Sequence, residues 1–179
     1  LELMARFSEL AQLSYPLLAG TSRKRFVGHV TGRDVREKAP DFRYFTGTRL
    51  SFADGTPDVI AYPAHRHGWG RLTRLLTTGN RRAEKGDCIL HLSDLIEHAD
   101  GLLLIALPPT GAQHGRLAEL ARACPDRLWQ GAMLHHGGSD RRRLAALSAV
   151  ADAAGVPLLA LNAPLYATPQ QRPLHDVIR

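Results

Sequence analysis

Cysteine is scarce in this chain. Its two thiols, Cys88 and Cys124, stand far apart among 179 residues. That excludes a disulfide scaffold, and two reduced, buried thiols in a cytosolic protein are the expectation. Aromatic residues make up 6%, too few for a platform on which single-stranded bases stack. No apolar run approaches the roughly 18 residues of a membrane span, so no membrane partner is expected. The opening stretch, LELMARFSEL, mixes acid and base and offers no small-residue cleavage site, so no secretory signal is read there. It also lacks an initiator methionine, which points to a fragment or a truncated reading frame. A cytoplasmic location fits these absences.

What is present suffices for one good core, or one and a half small ones. The hydrophobic fraction is 44%, ordinary for a globular chain. Lys and Arg number 23 against 17 Asp and Glu, a net charge of +6. That balance permits contact with nucleic acid without establishing it.

Leu3, Phe7, Leu10 and Leu13 mark a helical stripe, and Pro16 to Gly20 reads as a short buried strand entering a loop and a second helix. Residues 31–43 are charged, contain Pro40 and form the most plausible junction. Two strands follow, Tyr44 to Phe52 and Val59 to Tyr62, joined by Ala53-Asp54-Gly55-Thr56, and Asp-Gly between apolar runs signals a hairpin. Trp69, Leu72 and Leu76 predict a helix over Gly68 to Thr78, with Gly79 as its stop. Cys88 to Leu92 reads as a short strand, and Ser93 as the cap of a brief helix, Asp94 to His98.

Strands are predicted at Leu102–Leu107, Leu128–Met133 and Val156–Leu161. Helices follow each: one lined by Leu117, Leu120 and Cys124, one lined by Leu144, Leu147 and Ala151 and stopped by Gly155, and one starting at Thr168-Pro169. That alternation means parallel βα units with right-handed crossovers. An open doubly wound sheet and a barrel both fit the periodicity.

The segment Gly79 to Leu92, GNRRAEKGDCILHL, is cationic at one end and apolar at the other. With FTGTRLSFADGTPDVIAYP and WGRLTRLLTT before it, and GLLLIALPP and AGVPLLALNAPLYATPQQRPLHDVIR after it, residues from about 41 to 179 resemble the PHP (polymerase and histidinol phosphatase) domain of bacterial error-prone DNA polymerases. These are C-family replicases related to the polymerase III α subunit. The resemblance implies an α/β fold: a partial, distorted (β/α) barrel of PHP type with mainly parallel strands, incomplete over residues 37–179 because the first βα units are missing. It implies a piece of a translesion polymerase that supports DNA synthesis structurally, without catalysis of its own. The nucleotidyltransferase active site and its magnesium would lie beyond this chain. The partners it implies are the remaining polymerase domains and DNA.

Many PHP barrels hold a metal cluster through His, Asp and Glu at strand ends. Here the family's first-strand His-x-His pair has no counterpart. The last strand reads Asn162-Ala163-Pro164-Leu165 where metal-binding members have Asn-Asp-x-His. An inactive metal site is therefore the expectation, with no cofactor in this segment. His135 and His136 are the remaining candidate ligands, but neighbours on a strand point to opposite faces. The other histidines, the His65-Arg66-His67 pair included, are expected to be exposed or locally hydrogen-bonded. Arg81, Arg82 and Lys85, extended by Arg71 and Arg74, are candidates for DNA or inter-domain contact. The competing reading is a solvated turn whose charge Glu84 and Asp87 partly neutralise.

Residues 1–36 resemble a different family, through Tyr15-Pro16-Leu17-Leu18-Ala19-Gly20-Thr21-Ser22-Arg23-Lys24-Arg25-Phe26-Val27-Gly28. This is similar to a late helix-strand-helix segment of dihydropteroate synthase. The resemblance places Ser22, Arg23 and Lys24 at the C-terminal end of a barrel strand, where that family builds its pterin and p-aminobenzoate sites. The alternatives to the polymerase reading are thus a metal-dependent PHP phosphoesterase and a pterin-binding synthase-like fragment.

Overall fold

A computed structural model describes residues 45–108, 115–134, 138–161 and 168–173. The elements are β1 Thr48–Leu50, β2 Val59–Pro63, α1 Arg66–Arg82, α2 Leu92–His98, β3 Leu102–Ala106, α3 Gly115–Ala123, β4 Leu128–Ala132, α4 Asp140–Ala154 and β5 Leu158–Ala160. All lie within one compact unit, Thr46–Asn162. Of the final helix predicted after Thr168, the described residues include a 3-10 turn, Pro169–Gln171, followed by helical Arg172 and Pro173, in a separate unit. The predicted elements of residues 1–36 lie outside the described residues.

The five strands form one sheet in the order β1-β2-β3-β4-β5. β2 runs antiparallel to both neighbours, and β3, β4 and β5 are mutually parallel. Four of the five strands therefore share one direction, as the expected mainly parallel sheet requires. The hairpin signalled by Asp54-Gly55 is present, with Leu50 opposite Val59, but β1 is shorter than predicted. β1 and β5 are the edges, and among the described residues the sheet is open.

Strand alternation sorts the sheet into two faces. On one face lie Leu50, Val59, Ala61, Leu102, Leu104, Ala106, Leu128 and Gln130, all buried. Gln130 is tolerated there because its amide donates to the carbonyls of Ala106 and Gly131, at 3.2 and 3.1 Å. That face shares a core with Leu72 and Leu75 of α1, Leu92 and Leu95 of α2, and Leu117 and Leu120 of α3, while Val150 and Ala154 of α4 pack against it. The opposite face carries Ile60, Tyr62, Leu103, Ile105, Trp129 and Leu159. It is less completely buried: Leu103 is 37% exposed and Tyr62, Trp129 and Leu159 are intermediate. Gly131 lies on this face beneath Leu161, where a Cβ would come within 2.4 Å of Leu161 Cδ1.

Three expectations are corrected. α1 does not stop at Gly79 but runs on to Arg82, with Gly79 buried inside it. The glycine serves close packing: a Cβ there would meet Cys88 Sγ at 2.5 Å and Leu90 Cδ2 at 2.7 Å. Cys88 to Leu92 is not a strand. The Ile89 N–H bonds the Gly79 carbonyl and the Leu90 carbonyl accepts from Ala53, so this segment is irregular, and Leu92 already begins α2. Cys88 is exposed rather than buried, whereas Cys124 is buried as expected. The stop of α4 at Gly155 holds, in the left-handed conformation (φ 66°) that glycine adopts at little cost.

Candidate functional site

The polar architecture concentrates where α1 meets α2. α1 carries five arginines, Arg66, Arg71, Arg74, Arg81 and Arg82, and no acidic residue. Extending the helix past Gly79 puts Arg81 and Arg82 in its last turn, where cations complement the helix dipole. Two of the five are used within the fold. Arg71 donates to the Glu97 carbonyl of α2. Arg82 grips Asp94 through two parallel bonds, Nη1 to Oδ2 at 2.6 Å and Nη2 to Oδ1 at 2.9 Å. Its Nη1 also reaches the Ile89 carbonyl at 3.2 Å and His91 Nδ1 at 2.9 Å, so that nitrogen of His91 is an acceptor.

Asp94 is buried and also accepts from the His91 N–H at 2.8 Å, closing the first turn of α2. The Arg82 hydrogen bonds, against the cost of burial, lower its pKa to about 2. Asp54 in the β1–β2 loop supplies a second anchor. Its carboxylate accepts from the Leu92 N–H at 2.9 Å and from the Thr56 hydroxyl at 2.7 Å. Burial alone would raise Asp54, but the bonds from Leu92 and Thr56 and the charge of Arg116 outweigh it, and its pKa is lowered. Two carboxylates thus tie the start of α2 to α1 and to the hairpin loop. Both are held ionised by cations and N–H donors, which suits structural anchoring; a general acid would need a raised pKa.

Sequence reasoning missed both carboxylates. Asp54 was visible only as half of a turn signal. Asp94, three residues after His91, was the available clue to a capping interaction at the helix start. Of the predicted contact residues, Arg71 and Arg82 face inward to α2, while Arg74, Arg81 and Lys85 are exposed and make no hydrogen bond or ion pair among the described residues. Thr77, Thr78, Arg81 and Arg82 line a shallow depression of about 350 Å³. A second cavity of about 410 Å³ lies between the α3–β4 and α4–β5 turns, bordered by Cys124, Asp126, Trp129 and Pro157. Burial raises the pKa of the Cys124 thiol there, away from a thiolate nucleophile.

Ser22, Arg23, Lys24, His135 and His136 lie outside the described residues. Among the described residues no group of three His, Cys, Asp or Glu could hold a metal ion. His65 accepts from the Gly68 N–H at the start of α1, at 3.2 Å. His98 donates to the Asp94 carbonyl at 2.9 Å. Both, with His91, fit the expected local hydrogen bonding. No described helix is long and apolar enough to cross a membrane.

No family model matches the chain. Among curated relatives, the error-prone DNA polymerase 1 of Rhizobium meliloti (strain 1021) is 43% identical over 164 residues, covering 89% of this chain and 15% of the relative. The error-prone DNA polymerase of Sinorhizobium medicae (strain WSM419) is 41% identical, covering 99% of this chain and 16% of the relative. That of Brucella abortus biovar 1 (strain 9-941) is 42% identical, covering 90% and 15%. The chain therefore spans about 15% of the length of the curated relatives it matches. Across most of its length, this chain is homologous to one segment of bacterial error-prone DNA polymerases.

Proposed function

We propose that this chain is the PHP-type module of an error-prone, translesion DNA polymerase, acting as structural support for DNA synthesis and contributing no catalytic group. The observation that carries the reading is the 41–43% identity to proteins named error-prone DNA polymerase over 89–99% of the chain. The sheet supports the finer assignment. Its four helices feed the core on one face, while the opposite face is apolar and less buried. That is the layout of a barrel wall, helices outside and side chains inward, whereas a doubly wound sheet carries helices on both faces. The ion-paired carboxylates Asp54 and Asp94 serve as anchors, and the described residues offer no metal set.

The test is a graft. This chain replaces the matching segment of the Rhizobium meliloti relative, and primer extension and heat inactivation are measured. The expected chimera extends primers, and Leu75→Ala within the graft lowers its inactivation temperature while leaving the initial rate unchanged. A polymerase whose rate and heat stability survive deletion of the whole segment would sink the support role. Stoichiometric zinc, iron or manganese in the purified chain, measured by mass spectrometry, would instead favour a metal-dependent phosphoesterase.

A further inference from the structure

We infer that the outer face of α1 is a contact surface for the phosphate backbone of DNA, carried by Arg74 and Arg81 with Lys85 in the turn beyond. Arg74, Thr78 and Arg81 follow at i, i+4 and i+7, which places them on one face of the helix. Lys85 lies in the exposed turn just past the helix end. Arg74, Arg81 and Lys85 are exposed and without a partner among the described residues, whereas Arg71 and Arg82 are committed to α2.

Helix stability explains only part of this charge: Arg81 and Arg82 complement the dipole in the last turn, whereas Arg74 sits mid-helix with no acid to pair with on α1. A solvated helix normally interleaves acids with its cations at i, i+4 spacing, and α1 has no acid in 17 residues. Arg66 in its first turn even opposes the helix dipole. Acids enter only after the helix, as Glu84 and Asp87 beside Lys85, and as Glu97 across on α2. Glu84 is three residues past Arg81 but outside the helix, and no ion pair joins Arg74 or Arg81 to an acid among the described residues.

The occupant that fits is a phosphate chain. A protein partner would need a desolvated apolar anchor at the centre of the contact. This stripe has none: Trp69, the exposed aromatic of α1, stands five residues before Arg74 and so on another face. Between the arginines lie the hydroxyls of Thr77 and Thr78, beside the shallow depression they share with Arg81 and Arg82. The Thr77 hydroxyl donates to the Thr73 carbonyl at 2.8 Å, which leaves that of Thr78 beside the guanidinium forks; such donors suit phosphate oxygens, and contacts of this kind position a strand without reading its sequence. DNA is chosen as the polyanion on the strength of the polymerase reading above; the surface itself rests on α1.

The test uses the full chain and a fluorescein-labelled oligo-dT, followed by anisotropy between about 50 and 200 mM salt. Three cations on a single strand predict a log–log salt slope steeper by about 2 than that of the triple variant R74Q/R81Q/K85Q. The variant is expected to bind about tenfold or more weakly at the low-salt end. Its circular dichroism should match that of the parent chain, because none of the three side chains holds the fold. The control R141Q/R142Q removes two exposed cations from α4 and should leave both slope and affinity near the parent values. An equal loss in the control would reduce the binding to net charge and overturn the proposal. So would polyglutamate competing as well as unlabelled oligo-dT, which points to an acidic protein partner, or no binding by the parent chain. Each of these outcomes leaves the graft's primer extension, and with it the polymerase reading, separately measurable.

Discussion

Asp94 shows how one side chain sets the acid limit of a fold. Its ordinary carboxyl pKa of 3.8 falls to about 2 in the folded chain, chiefly through Arg82. A depressed folded pKa means that the ionised form stabilises the fold above about pH 4, and that this contribution is lost as pH falls toward 2. Asp54 is shifted in the same direction and adds to the same acid limb. Urea midpoints measured from pH 6 to pH 2 should therefore fall more steeply for the parent chain than for Asp94→Asn, the two converging at the acid end. Parallel curves would contradict this role. Gly79 makes a second residue-scale case. A valine there regains only a few tenths of a kcal/mol of helix propensity and must displace Cys88 and Leu90, so Gly79→Val should cost about 1–3 kcal/mol in chemical denaturation. A variant as stable as its parent would refute the close-packing account of that glycine.

Elements were legible where a local signal and the tertiary environment agreed. Asp54-Gly55 marked the hairpin, the run Leu102–Ala106 marked a strand buried against neighbours, and Gly155 marked the end of α4. The misread stretch, 79–92, is where they disagree. A glycine reads locally as a helix stop, yet at position 79 the packing of Leu90 against α1 decides. CILHL has the composition of a strand, but its backbone groups are claimed by Gly79 and Ala53 and its last leucine by α2. Anchoring by Asp54 and Asp94 depends on contacts 38 and 12 residues away in sequence, which no periodicity reveals. α1 also separates core from surface. Leu75 is fully buried, so Leu75→Ala should cost about 2–5 kcal/mol. Leu144 on α4 is 38% exposed, and Leu144→Ala should stay within about 0.5 kcal/mol. Equal losses at the two sites, measured by urea unfolding, would contradict the assignment of the core.

At the scale of the molecule, the sequence conveyed the α/β class, the succession of βα units and the kinship with error-prone polymerases. Strand order and the one-sided placement of helices came only from the register of the sheet, because periodicity reports that a strand is buried and not what covers each face. The contact residues split in the same way. Charge was legible at Arg71, Arg74, Arg81, Arg82 and Lys85, but which of them face α2 and which face solvent was decided by folding.

The clamp between Arg82 and Asp94 has one more consequence. It pins both ends of the crossing from Ala83 to His91, leaving Lys85 on an exposed turn between two anchored helices. A protease needs a locally extended, accessible backbone, and within residues 66–98 that turn offers one. Within residues 66–98, trypsin should therefore cut there first. The nicked chain should still elute as a single species, because Leu72 and Leu75 on one fragment share a buried cluster with Leu92, Leu95 and Leu104 on the other. This domain would then tolerate a severed backbone at Lys85, and that turn is the natural point at which to open it for circular permutation or for the insertion of a reporter.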